Sequence, residues 1–191
     1  VAGLSTEEIA RAFLLPVPTV QQRIVRAKQR LRDVGATFEL PPGDGLRTRI
    51  DAVLDVIALI FNEGYTASSG PDWMRPALCD EGVRLARVVT ALLPDDPEAH
   101  GLSALLELQA SRLRARTGRD GTPVLLPDQD RSLWDPLLVR PALDALAQAR
   151  ALVPEGRRAG RFVLQAAIAA CHARATTPDA TNWPRIAASG V

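Results

Sequence analysis

The sequence predicts an all-α protein, on three observations. Aromatic residues make up only 4% of a chain that is 47% hydrophobic, so the core must be built mainly from Ala, Leu and Val. Those side chains suit close-packed helices better than a β-sandwich, which favours aromatic and β-branched residues. Apolar residues recur at intervals of three and four. Proline and glycine gather mostly between these periodic stretches, where they act as breaks. A length of 191 residues accommodates one medium domain, or a small piece plus one.

The first helix opens on Ser5-Thr6-Glu7-Glu8, a capping box in which Ser5 caps and Glu8 reaches back to its N–H. Ile9, Ala10, Phe13 and Leu14 fall on one face. Leu15-Pro16-Val17-Pro18 ends it, since each proline removes a donor and restricts its predecessor. A second helix starts at Pro18 or Thr19, with Val20, Ile24, Ala27 and Leu31 as its apolar stripe and Gln21, Gln22, Arg23, Arg26, Lys28 and Arg30 around it. Helix, tight turn and basic helix within about 28 residues form a helix-turn-helix.

Residues 34–45, with Gly35 and Pro41-Pro42-Gly43-Asp44-Gly45, read as a linker between a unit spanning 1–33 and a helical body spanning 46–191. In the body, Ile50 to Asn62 is apolar almost all round and is expected to be central. A helix from Pro76 to about Leu93 should turn Leu78, Leu85, Val89 and Leu92 inward. Asp96-Pro97-Glu98 starts another, reaching about Arg116. Thr117 to Asp128 is a loop. Arg131 to Val153 is expected to be bent or split by Pro136 and Pro141, Arg161 to Ala175 packs through alanine, and a short last helix begins near Asn182. Leu92-Leu93-Pro94 and Leu152-Val153-Pro154 each end one helix and precede another. That recurrence suggests stacked hairpins of the tetratricopeptide kind, although a 34-residue period does not repeat cleanly.

Several classes of function are disfavoured. Cys79 and Cys171 sit in apolar helical patterns without a CxxC pair, as buried thiols of a reduced compartment do. His100 and His172 lack ligand spacing, so neither a metal nor a cofactor is expected. No apolar run approaches the ~20 residues of a membrane span, and no signal peptide opens the chain, which points to the cytoplasm. The chain begins at Val1 directly on a helix-cap pattern, as a piece of a longer protein would. The net charge of +1 hides an asymmetry. Arg11, Arg23, Arg26, Lys28, Arg30 and Arg32 fall in residues 11–32 with no acid among them, beside a mildly acidic body. That contrast is expected when only one part touches nucleic acid.

LSTEEIA (4–10), Thr19-Val20 and RIVRAK (23–28) with Leu31-Arg32 resemble the promoter −35 reading domain of extracytoplasmic-function sigma factors. The later chain resembles their subgroup with a C-terminal tetratricopeptide-like extension, through LIFNEGY (59–65), LCDE (78–81), LPDDPE (93–98), LLPDQDRSLWD (125–135) and LQAAIAA (164–170). The resemblance covers most of the chain. It implies a transcription initiation factor in which Thr19, Gln21, Gln22 and Arg23 approach base edges or nearby phosphates, while Arg26, Lys28 and Arg30 mainly contact the backbone. It implies promoter DNA and, through the parent protein, core RNA polymerase as partners. Pro18 departs from the small or acidic residue usual at the start of that helix. The polymerase-binding and −10-reading domain, and the first part of the −35 domain, are not found in the sequence.

Asn62-Glu63-Gly64-Tyr65 and Asp128-Gln129-Asp130-Arg131, with Trp134, admit three readings. They are structural (Glu63 capping a turn, Asp130 bridging Arg131, Tyr65 and Trp134 filling a groove), a docking site for a peptide or protein, or a chemical cluster. No nucleophile–base pair, phosphate loop or metal spacing supports the last, and an enzyme is not expected. Two functional classes follow: an initiation factor regulated in cis by its extension, or a helical adaptor or enzyme module fused to a DNA-binding address.

Overall fold

A computed structural model of the chain describes residues 4–35, 44–67 and 72–188, with only the backbone of 44–48. Among these residues the fold is all-helical, a helix-turn-helix followed by an array of hairpins, and the sole extended pairing is an isolated bridge between Thr117 and Pro123.

The helix-turn-helix comprises α1 (Thr6–Ala12) and α2 (Val17–Asp33). The capping box forms as read: Glu8 N donates to Ser5 Oγ at 3.1 Å and Ser5 N donates to Glu8 Oε2 at 2.6 Å. Pro16 caps α2 and Pro18 lies in its first turn, where its missing N–H costs nothing. The helix therefore starts one residue earlier than the proline pattern suggested. Between the helices Leu14 takes φ +52° and is exposed, a left-handed conformation that side chains rarely adopt. The expected inward stripe is only partly realised. Ala10 and Val20 are buried, but Phe13, Leu14 and Leu31 are exposed and Ala27 faces solvent. Helix α2 packs mainly on the short α1, which cannot cover every apolar position along it.

The body contains α3 (Asp44–Tyr65), α4 (Pro76–Leu92), α5 (Pro97–Ala110), α6 (Pro136–Leu152), α7 (Arg161–Arg174) and α8 (Trp183–Ala188). Of the expected linker, residues 36–43 lie outside the described residues, and Asp44 and Gly45 already belong to α3. The central element is α5, not α3. Nine of its residues are buried on every side, whereas Val53 and Val56 of α3 are exposed. One face of α5 joins Leu54, Ile57 and Phe61 of α3 and Cys79, Val83 and Ala86 of α4. The other, through Ala104 and Leu108, joins Leu146 of α6 and Val163, Ala166 and Ala170 of α7.

Small residues set these approaches. A Cβ at Gly101 would lie 2.6 Å from Val163 N, and one at Gly64 would lie 2.6 Å from Cys79 N, so both crossings depend on glycine. Glu98 of α5 caps α7 from outside, accepting from Phe162 N at 2.9 Å and Val163 N at 3.3 Å. On α4 the buried line is Cys79, Val83 and Ala86. Leu85 and Val89 are only partly buried and Leu92 is 73% exposed, so the inward face is turned from the one expected because the α5 crossing uses the small residues.

The helix expected to run from Asp96 to Arg116 ends at Ala110 and resumes as a 3-10 turn, Leu113–Arg116. Pro136 does not bend a helix; it begins α6, capped by Asp135, whose Oδ1 accepts from Leu137 N at 2.8 Å. Arg131–Leu133 is a separate 3-10 turn. Pro141 lies inside α6, which continues through it. Its ring leaves the Leu137 carbonyl without the usual intrahelical donor, and Pro141 is exposed. Pro141→Ala is therefore expected to stabilise the protein by about 1–3 kcal/mol, seen as a higher midpoint in urea unfolding followed by circular dichroism.

Candidate functional site

On α2, Gln21, Gln22, Arg23, Arg26, Lys28 and Arg30 are all exposed, while Thr19 is half-buried at the first turn. Gln22, Arg26 and Arg30 follow one another at four-residue intervals with Arg23 beside them, so these four share one ridge. Gln21 and Lys28, seven residues apart, form a second strip on the other side of the Val20 stripe. Among the described residues no ion pair engages Arg23, Arg26, Lys28 or Arg30. A basic helix with both flanks free suits a major groove, whose two phosphate walls border an inserted helix.

The helix-turn-helix is held to the body by an acid–base clasp absent from the sequence reading. Glu8, buried in α1, accepts from Arg75 Nη1 at 2.6 Å, and the same nitrogen lies 3.8 Å from Glu63 Oε1 on α3. Glu63 thus takes part in an ion pair across this seam. A shallow hollow bounded by Leu4, Glu8 and Arg11 on one side and Leu59, Asn62 and Glu63 on the other follows this seam. The Ser5 backbone N–H, then the Arg75 charge, hold the Glu8 carboxyl below its ordinary value of 4.5 despite burial. A carboxylate with a depressed folded-state value stabilises fully above the ordinary value, and its contribution fades as pH falls through the lower one. The clasp is expected to hold at neutral pH and to release only when the solution becomes more acidic than the ordinary carboxylate range. Glu8→Gln should cost about 1–2 kcal/mol, between exposed and buried pairs, and remove that acid step from the amide NMR shifts of residues 4–35.

The second predicted site is divided. Tyr65 is stacked on Phe61 at 5.5 Å, and the Arg116 guanidinium lies 3.4 Å over its ring. Asn62 is exposed at the end of α3. Asp128 and Asp130 are exposed. Asp130 does not bridge Arg131; its Oδ1 accepts from Ser132 N at 2.9 Å and from Ser132 Oγ at 2.6 Å. Arg131 instead donates to the His172 carbonyl at 2.5 Å and the Ala175 carbonyl at 2.8 Å, and lies 4.9 Å over Trp134. It satisfies the carbonyls at the C-terminus of α7, where a cation also meets the helix dipole favourably.

Asn62, Tyr65 and Trp134 meet in a cavity of about 440 Å³ between α3, α5 and α7; Asp128, Asp130 and Arg131 are not among its lining residues. Sequence reasoning missed Gln109, Arg112, Gln165 and His172, which also line it. The local signal was Arg112 and Arg116, four residues apart just after α5. Burial, with Arg112 and Arg131 nearby, pushes the His172 imidazole below its ordinary value. Cys79 lies behind the cavity floor and burial raises its thiol to about 12, so it is not a nucleophile at neutral pH. Among the described residues no group of three metal-ligating side chains forms, and no helix is long and apolar enough to cross a membrane.

A helix-turn-helix with a basic second helix precedes the helical body, and comparison with known proteins finds counterparts of both parts. Residues 1–31 match the model of sigma-70, region 4, so the chain carries a sigma-factor-like DNA-binding region. Residues 49–150, more than half of the chain, match a family of unknown function (DUF6596), and the chain belongs to that family. An uncharacterized protein of Rhizobium meliloti (strain 1021) is 47% identical over 186 residues, which is 97% of this chain and 43% of the relative. The chain thus spans less than half the length of the curated relative it matches. No solved structure matches.

Proposed function

We propose that the chain is the promoter-reading and regulatory end of a sigma factor of the extracytoplasmic-function type, acting in the cytoplasm on promoter DNA with core RNA polymerase. The observation that carries this reading is the exposed ridge of Gln22, Arg23, Arg26 and Arg30, free of internal ion pairs, on the second helix of a region that matches sigma-70 region 4. Residues 1–33 form the end of the −35-reading domain, 34–43 connect, and the body from α3 onward forms a tetratricopeptide-like extension. In this division Thr19, Gln21, Gln22 and Arg23 face the bases or adjacent phosphates, and Arg26, Lys28 and Arg30 neutralise the backbone.

The extension acts in cis, and the Glu8–Arg75–Glu63 clasp supports this role. The clasp fixes the orientation in which α2 is offered to DNA. The cavity between α3, α5 and α7 favours a second role for the extension as a binding module, with Asn62, Tyr65 and Trp134 on its walls.

Promoter-specific transcription by core polymerase tests the reading, comparing the whole factor, the factor lacking residues 46–191 and the Arg26→Ala variant. The whole factor is expected to initiate and Arg26→Ala to weaken initiation. Deletion of the extension is expected to change the output, downward for a working part of the machinery and upward for an inhibitory one. Absence of initiation from the whole factor would sink the sigma-factor reading.

A further inference from the structure

The cavity between α3, α5 and α7 has walls of unequal chemistry. Its floor is apolar, from Phe61, Leu105, Leu106 and Ile168, and its rim carries the amides of Asn62, Gln109 and Gln165 together with Arg112. No acidic residue lines it.

Cations surround it without counterions. Arg112 donates to the Gln109 side chain and lies 5.7 Å over Tyr65. Arg116 donates to the Tyr65 carbonyl and lies over Tyr65 and Trp73, and Arg131 donates to two carbonyls and lies over Trp134. Among the described residues none of the three meets a carboxylate. Burial pushes down the proton affinity of Arg116, Arg131 and His172, and the neighbouring Arg112 charge lowers it further. Half-buried guanidinium groups that repel one another are costly without an anion. Arg112 Nε and Trp134 Nε1, on residues that line the cavity, are buried without an acceptor, and Trp134 is only 9% exposed.

We propose that this cavity is a binding site for a carboxylate carried on an apolar chain, with the anion at Arg112 and the apolar part against Leu105, Leu106 and Ile168. Only Arg112 brings a full charge to the lining, which matches a monoanion, and a planar guanidinium matches a carboxylate in two-point contact. The volume lies within the range of ordinary small-ligand sites. The apolar chain is either a short peptide with a free C-terminus or an aliphatic acid. The inference rests on the cavity and not on the DNA reading.

The test is calorimetric titration of the chain with two pairs of probes: octanoate against octanamide, and N-acetyl-Ala-Leu-Leu against its C-terminal amide. At least one carboxylate is expected to bind at one per chain and at least tenfold tighter than its amide. Preference for the peptide identifies that source, and preference for octanoate the other. Arg112→Gln is expected to abolish the carboxylate preference, and Ile168→Glu, which brings a carboxylate into the cavity, to abolish binding altogether. Both variants are checked for an unchanged circular dichroism spectrum; should Arg112→Gln misfold, Ile168→Glu carries the test. Equal affinity for acid and amide in both pairs, a preference that survives Arg112→Gln, or tighter binding of octyl phosphate than of octanoate would each overturn the proposal.

Discussion

Phe61→Ala is expected to destabilise the protein by about 3–5 kcal/mol, the usual cost of removing a buried aromatic ring. Phe61 is 1% exposed and lies where three packing relations meet. It belongs to the core shared by α3, α4 and α5, it stacks on Tyr65, and its Cβ would lie 2.9 Å from a Cβ built at Gly82. Helix α4 approaches α3 so closely there that the backbones cannot readily close over the vacated volume, which places the loss toward the upper end of the range. Against a typical total of about 5–15 kcal/mol this is a large fraction. The melting midpoint should fall by roughly 10 °C. The Phe61 carbonyl lies 3.8 Å from the Cys79 thiol, so alkylation of Cys79 should accelerate in parallel. An unchanged rate of thiol modification would show that the core closes over the gap.

The second large effect concerns the ridge on α2. Replacing Arg23, Arg26, Lys28 and Arg30 together by alanine removes four exposed cations without breaking an internal ion pair. Helical content should persist, since alanine is the best helix former. Each cation that neutralises a phosphate contributes about 0.9 to the slope of log affinity against log salt on duplex DNA. The fourfold variant is therefore expected to lose roughly three to four units of slope and on the order of a thousandfold in affinity at low salt. Fluorescence anisotropy of labelled duplex DNA across 50–200 mM salt reads both quantities. A variant with the original slope would exclude α2 as the phosphate-contacting element. Because Gln22, Arg23, Arg26 and Arg30 share one ridge and Lys28 lies on another strip, Arg26→Ala and Lys28→Ala should lower the slope separately and additively.

The features legible in the sequence were local ones. The capping box at Ser5 and Glu8, the proline punctuation before α2, the Asp96-Pro97 start of α5 and the burial of Cys79 and Cys171 follow from residue chemistry within one or two turns. What escaped depends on which helix meets which. Helix α3 has the more continuous apolar sequence, yet α5 is central because Gly101, Ala99 and Ala104 let neighbours approach from several sides. Leu92 fitted a periodic stripe and is exposed, because the α4 face is chosen by small residues at the crossing. Pro136 looked like a break inside a helix and is the first residue of one. The clasp joins residues 67 positions apart. The cavity gathers side chains from Phe61 to His172, so no spacing within a single segment announces it. Arg131 beside Asp130 suggested an ion pair, but each found a better local partner: a turn N–H and hydroxyl for the acid, helix-end carbonyls for the base.

The glycine crossings also limit how the two ends of the molecule can communicate. Asn62 borders both the cavity and the seam under the helix-turn-helix, and Glu63 belongs to the clasp, so the last turn of α3 touches both. In many switching proteins such a turn would act as a ratchet, sliding one helix past another by a full turn. Here a one-turn slip would bring Ile60 to the place of Gly64, or Pro97 or Leu105 to the place of Gly101, against backbone that leaves no room for a Cβ. The body is mechanically locked in register. Any coupling between the cavity and α2 must therefore travel as exchange of side-chain partners around Asn62, Glu63 and Arg75, in the manner of a latch and not of a piston.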